Sequence, residues 1–200
     1  MAHGLASGIS YLHSKEGVHR DIKSLNVLVK REEVKLADFG GTRKLSSLRT
    51  ATKGGSIRWN APEVLKEEKF SQASDVYAMG ITFSEILTRE IPYAHLKADE
   101  DVTLAVRFGT RPQLWPPTEG MQELLGDLEQ QTEGFRQLFQ KCWDEHPERR
   151  PSAREVRLKL ADLLSQLQHL APSTVGAASS SSSEPVKSIP MPLYTFGSSK

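Results

Sequence analysis

The sequence predicts a mainly α-helical domain that carries one small β-hairpin and ends in a disordered tail. Apolar residues recur at helical spacing in residues 1–14, 74–88, 135–143 and 152–167. Short β-branched or alternating runs are concentrated in residues 27–37. The composition changes near Ala171: Pro172, a serine run over 179–183 and scattered prolines up to Pro192 follow. Such a segment buries too little apolar surface to offset its ordering entropy. The expected boundaries are an ordered domain over 1–168 and a disordered Ser/Pro-rich tail over 169–200. A short docking motif around Met191 to Tyr194 is the alternative to a plain spacer there.

Each element has its own signal. Leu5, Ile9 and Leu12 fall on one face, so 1–14 reads as an amphipathic helix. Val27-Leu28-Val29 and Val34-Lys35-Leu36-Ala37 flank a polar turn and read as a hairpin. Residues 43–56 are polar and rich in Ser, Thr and Gly, and read as a mobile loop. In 74–88 the apolar residues Val76, Tyr77, Met79, Ile81, Phe83, Ile86 and Leu87 lie on nearly every side, which predicts a central, buried helix. Asp75, near its start, is a candidate cap. Pro112, Pro116 and Pro117 mark an irregular crossing. Two amphipathic helices follow, with Pro147 and Pro151 breaking the chain between them.

Bulk properties exclude several classes. The length of 200 residues suits one domain with a sizeable core. The net charge of +1 gives no support to a nucleic-acid or membrane partner. A single cysteine, Cys142, allows no internal disulfide and no cysteine metal site, so a reduced, cytoplasmic setting is expected. No signal peptide is expected in residues 1–8, and no apolar run approaches the ~20 residues of a membrane span. His3, His13, His95, His146 and His169 lack metal-ligand spacing and read as surface or packing residues. Cys142 and Trp143 read as core.

Chemistry concentrates in three short motifs in one order: His19-Arg20-Asp21-Ile22-Lys23-Ser24-Leu25-Asn26, then Asp38-Phe39-Gly40, then Ala61-Pro62-Glu63. The set resembles the C-terminal lobe of a eukaryotic protein kinase, over about residues 1–167. The resemblance implies a kinase-like C-lobe with the hairpin at the catalytic cleft, ATP and Mg²⁺ as cofactors, and protein substrates. It makes Asp21 the acceptor of the substrate hydroxyl's proton and Lys23 a charge stabiliser near the γ-phosphate. Asn26 and Asp38 become oxygen ligands for Mg²⁺, and Leu28 an apolar floor for adenine. His19 and Phe39 are expected to pack beneath the site. Asp75 is expected to bond the catalytic-loop backbone, and Glu63 and Arg150 to form a buried ion pair.

Lys23, with Ser56 as its brace, favours serine/threonine chemistry. Lys23-Ser24-Leu25-Asn26, Ile57-Arg58-Trp59 and the stretch from Cys142 to Pro151 resemble the tyrosine-kinase-like group, which is mostly serine/threonine-specific. Asn60 departs from the methionine usual in that group and bears on peptide preference. Arg20 suggests control by an upstream kinase acting on Thr52, or next on Thr50. No glycine-rich phosphate loop or strand lysine precedes His19, so the chain is expected to be a fragment without its N-lobe and inactive alone. A non-catalytic interaction module and a dual-specificity or tyrosine kinase are the alternatives.

Overall fold

The computed structural model describes residues 1–31, 33–47, 56–67, 69–114 and 129–170. The fold is mainly α, as the periodicity predicts. Its helices are α1 (Ala2–Ser14), α2 (Pro62–Glu67), α3 (Gln72–Thr88), α4 (Asp99–Arg107), α5 (Glu129–Cys142) and α6 (Ala153–Leu170). Among the described residues four short strands form two antiparallel pairs. β2 (Val27–Lys30) and β3 (Glu33–Leu36) make the expected hairpin, with Val27 opposite Leu36 and Val29 opposite Val34. β1 (Gly17–Val18) pairs with β4 (Arg43–Lys44), placing Gly17 opposite Lys44.

α3 is the axis of the fold. Every residue from Ser74 to Glu85 is buried. Burying a Val, Ile, Met or Phe side chain contributes roughly 1.5–3 kcal/mol, so this helix alone organises much of the core. Its start corrects the sequence reading. Ser71 caps it: Ser74 N donates to Ser71 Oγ at 3.2 Å, and Ser71 N donates back to Ser74 Oγ at 2.9 Å. Asp75 is therefore not the cap and its carboxylate is available elsewhere. The helix ends at Arg89, whose φ of 58° lies in the left-handed region and whose N–H returns to the Glu85 carbonyl.

Glycine permits two close crossings. A Cβ on Gly80 would stand 2.8 Å from Cys142 Cβ, so α3 and α5 meet there without room for a side chain. Phe83 and Phe139 stack across the same interface with ring centroids 4.5 Å apart. A Cβ on Gly4 would stand 2.6 Å from Val34 Cβ, which is how α1 lies directly against the hairpin. Leu5 and Ile9 of α1 are buried as its periodicity predicts.

Two helices, α2 and α4, were not expected. α2 is only six residues long, and α4 opens on three acidic residues, Asp99, Glu100 and Asp101, so neither shows a long apolar stripe. Within the loop expected over 43–56, Arg43 and Lys44 are drawn into β4. Residues 48–55 lie outside the described residues, as do residues 171–200 of the tail expected over 169–200; the first two residues of that expected tail, His169 and Leu170, instead complete α6. No described helix is long and apolar enough to cross a membrane.

Candidate active site

The loop from His19 to Asn26 runs between β1 and β2, above α3. Asp75 holds it from below. The Asp75 carboxylate accepts His19 N–H at 2.8 Å on Oδ2 and Arg20 N–H at 2.9 Å on Oδ1. His13 Nε2 lies 2.9 Å from the same Oδ2. Only 1% of Asp75 is exposed, so these contacts stand in for lost water. They also stabilise an awkward backbone: Arg20 has φ of 75°, a region that costs a bulky residue about 1–2 kcal/mol. Ile22, 1% exposed, plugs the loop into the core. The His19 ring meets the edge of Phe39 at 5.2 Å, and its Nε2 sits 3.1 Å from the Ala37 carbonyl.

With its backbone so fixed, the loop presents Asp21 to a polar cluster. Lys23 Nζ donates to Asp21 Oδ2 at 2.8 Å and to Ser56 Oγ at 2.9 Å. Ser56 Oγ donates to Asp21 Oδ1 at 3.0 Å, which closes a triangle. Asn26 Nδ2 donates to Asp21 Oδ2 at 3.1 Å and to the Asp21 carbonyl at 2.7 Å. Burial alone would raise the Asp21 carboxyl, but the bonds from Lys23, Ser56 and Asn26 outweigh it and hold the group below its usual range. Asp21 is thus an ionised, oriented acceptor close to a fixed ammonium.

The other predicted residues lie on the open side. Asp38 is exposed, has φ of 60°, and accepts Gly40 N–H at 3.3 Å. Phe39 is 52% exposed and Leu28 58% exposed on β2. Among the described residues no group of three or more His, Cys, Asp and Glu could cage a metal. Asn26 and Asp38 offer two hard oxygen donors. That donor set suits Mg²⁺ ligated also by phosphate and water rather than a transition metal. With Asn26 Nδ2 spent on Asp21, its carbonyl oxygen is the atom left to face such an ion.

Glu63 and Arg150 form a bidentate pair, Nη1 to Oε1 at 2.7 Å and Nη2 to Oε2 at 2.9 Å, with the Arg150 side chain fully buried. Arg20 directs Nη1 to the Gly41 carbonyl at 3.4 Å and lies over the Phe70 ring at 4.5 Å. Burial and the nearby charge of Arg43 lower its pKa, against Asp75. Thr50 and Thr52 lie outside the described residues.

Sequence reading missed three contributors. His13, expected at the surface or in packing, sits against Asp75. Glu85, 5% exposed, accepts Ser24 Oγ–H at 2.6 Å, Ser24 N–H at 3.1 Å and Trp59 Nε1–H at 2.9 Å. Arg58 donates to three carbonyls, those of Pro92, Tyr93 and Leu96, at 2.8–3.0 Å. Glu85 is the only charged residue in the largely apolar stretch 76–87, and that was the available signal for it.

Comparison with known proteins places this geometry. A family model described as protein kinase domain matches residues 1–159. Mitogen-activated protein kinase kinase kinase 12 of Rattus norvegicus is 35% identical over 171 residues, covering 82% of this chain and 18% of that protein. Mitogen-activated protein kinase kinase kinase 13 of Homo sapiens is 35% identical over 171 residues, covering 82% of this chain and 16% of that protein. A Dictyostelium discoideum protein named probable serine/threonine-protein kinase is 34% identical over 157 residues, covering 78% of this chain and 11% of that protein. The chain therefore spans only a small part of the length of these relatives.

Proposed function

The chain belongs to the protein kinase family, and from that premise we propose that it supplies the catalytic C-lobe of a kinase that phosphorylates serine and threonine hydroxyls of proteins. The single observation that carries this reading is the Asp21–Lys23–Ser56 triangle. When bound, Mg²⁺·ATP supplies the γ-phosphoryl group and the metal draws charge from it. Asn26 and Asp38 would hold the ion, and Leu28 would lie beneath the adenine. Asp21 accepts a hydrogen bond from the substrate hydroxyl and takes its proton as oxygen bonds to phosphorus and the bond to ADP breaks. Lys23, held by Asp21 and Ser56, places its ammonium where negative charge builds.

Lys23 and Ser56 support serine/threonine over tyrosine specificity. Ser24 and Ile57-Arg58-Trp59 support placement in the tyrosine-kinase-like group. A cytoplasmic setting accords with the lone, buried Cys142. The test is a peptide panel presented, with Mg²⁺·ATP, to this chain joined to a kinase N-lobe. Phosphoserine and phosphothreonine are the expected products, and phosphotyrosine as the main product would overturn the specificity.

Control by an upstream kinase at Thr52 is part of the same reading. Arg20 Nε is buried without a partner among the described residues, and Arg43 is close enough to depress Arg20's pKa. A phosphate bearing about −1.5 to −2 charges would satisfy both. Mass spectrometry of the active kinase should find Thr52, or next Thr50, phosphorylated; an active enzyme unmodified at both would remove this regulation.

A further inference from the structure

Two sequence features singled out above, Ser24 in the catalytic loop and Trp59 in the Ile57-Arg58-Trp59 stretch, have no role in the chemistry just described. They are 35 positions apart, and among the described residues no hydrogen bond joins them directly. Both end on one buried carboxylate. Ser24 gives Glu85 two bonds, from Oγ at 2.6 Å and from N at 3.1 Å, and Trp59 gives it one from Nε1 at 2.9 Å. We infer that Ser24, Glu85 and Trp59 form one positioning unit that locks the catalytic loop to the neighbouring loop segment, so that the two move as a single body.

The energetics support a coupled unit rather than independent contacts. Glu85 is on the buried stretch of α3, away from water, and burial pushes its carboxyl up despite the bonds from Ser24 and Trp59 and the charge of Lys23. A buried carboxylate depends on its donors, and losing one weakens its hold on the others. Without the Ser24 hydroxyl the charge is under-solvated. Glu85 then rotates or takes up a proton, and in either case offers the indole a poorer acceptor. Trp59 is further fixed by its neighbour: Arg58 is fastened to the carbonyls of Pro92, Tyr93 and Leu96. The segment that carries Ser56, the brace of Asp21 and Lys23, is thus anchored at Trp59 toward the catalytic loop and at Arg58 toward the turn after α3. That the unit serves phosphoryl transfer rests on the kinase reading; that it couples the two segments does not.

The test uses the full 200-residue chain and the Trp59 indole N–H, assigned among Trp59, Trp115 and Trp143 by Trp59→Phe. Ser24→Ala should shift the Trp59 indole resonance and speed its solvent exchange about tenfold, the scale of one hydrogen bond to a charged group. Ser24→Thr, which keeps the hydroxyl, should restore the wild-type behaviour. In a Glu85→Gln background Ser24→Ala should have no further effect. The inference is overturned if Ser24→Ala leaves the Trp59 indole unchanged, if Ser24→Thr behaves like Ser24→Ala, or if the Ser24 effect persists in Glu85→Gln. Should Glu85→Gln fail to fold, the Ala and Thr variants at Ser24 decide the matter. These resonances report coupling whether or not any phosphoryl transfer is found, so failure here is distinct from failure of the kinase reading.

Discussion

The floor beneath the catalytic loop and the rim above it are built in opposite ways. In the floor, charged groups are buried and each has its partners: Asp75 takes two backbone N–H groups, Glu85 takes three donors, and Arg150 meets Glu63 in parallel. On the rim, Asp38, Phe39, Leu28 and Val29 are exposed. The difference separates what the chain needs in order to fold from what it offers to a ligand. Floor polar groups are fixed by the high cost of stranding a buried charge. Rim groups contribute little to stability and are set by chemistry instead. Asp21 sits at the boundary, half inside and held from one side by Lys23, Ser56 and Asn26.

The contrast can be broken by substitution. Glu63→Ala strands the fully buried Arg150 guanidinium and should cost about 3–5 kcal/mol, read as a lowered urea midpoint. Asp75→Asn keeps one carbonyl oxygen but sets an NH₂ against a backbone donor. It should cost roughly 1–3 kcal/mol and speed amide exchange at His19 or Arg20. If either floor variant were as stable as wild type, the floor would not be the organising element. Asp21 should give a smaller, pH-dependent effect. Its native pKa is lowered, so its stabilising contribution is complete above the ordinary aspartate range and is lost as pH falls through the lower native value. Stability curves of wild type and Asp21→Asn against pH should therefore change their separation on acidification and stay parallel near neutrality. Leu28→Ser on the rim should change stability by no more than about 0.5 kcal/mol, while weakening nucleotide binding in the kinase. A large loss of stability there would mean that β2 belongs to the core.

The same division decides what the sequence made legible. α3 could be read because its apolar residues surround the helix, and the hairpin because Val27 to Ala37 is bounded by a polar turn. Asp21, Lys23 and Ser56 could be brought together only through resemblance, since no local pattern says that a serine 35 positions beyond Asp21 will bond it. The resemblance paired Asp75 with the catalytic-loop backbone and Glu63 with Arg150, as the structure does, but it carried no partner for His13, Glu85 or Arg58. Asp75 looked like a cap because an acidic residue near a helix start often is one, yet Ser71 had already satisfied that end. His13 in the last turn of α1, Glu85 late in α3 and Arg58 in the segment before α2 are ordinary polar residues whose partners the fold alone supplies. α2 and α4 escaped because six residues, or an acidic first turn, leave too little apolar period to detect.

The central claim is that Asp21 is the proton acceptor of a serine/threonine kinase whose catalytic lobe this chain forms. The most direct measurement is Mg²⁺- and ATP-dependent phosphate incorporation into a protein substrate by the chain joined to a kinase N-lobe, with and without Asp21→Asn. The account predicts phosphoserine or phosphothreonine, with kcat falling by about 10²–10⁴-fold in the Asn variant and folding unimpaired, and no transfer by the 200 residues alone. Phosphorylation that survives Asp21→Asn at full rate, or robust transfer by the 200-residue chain without an N-lobe, would contradict it.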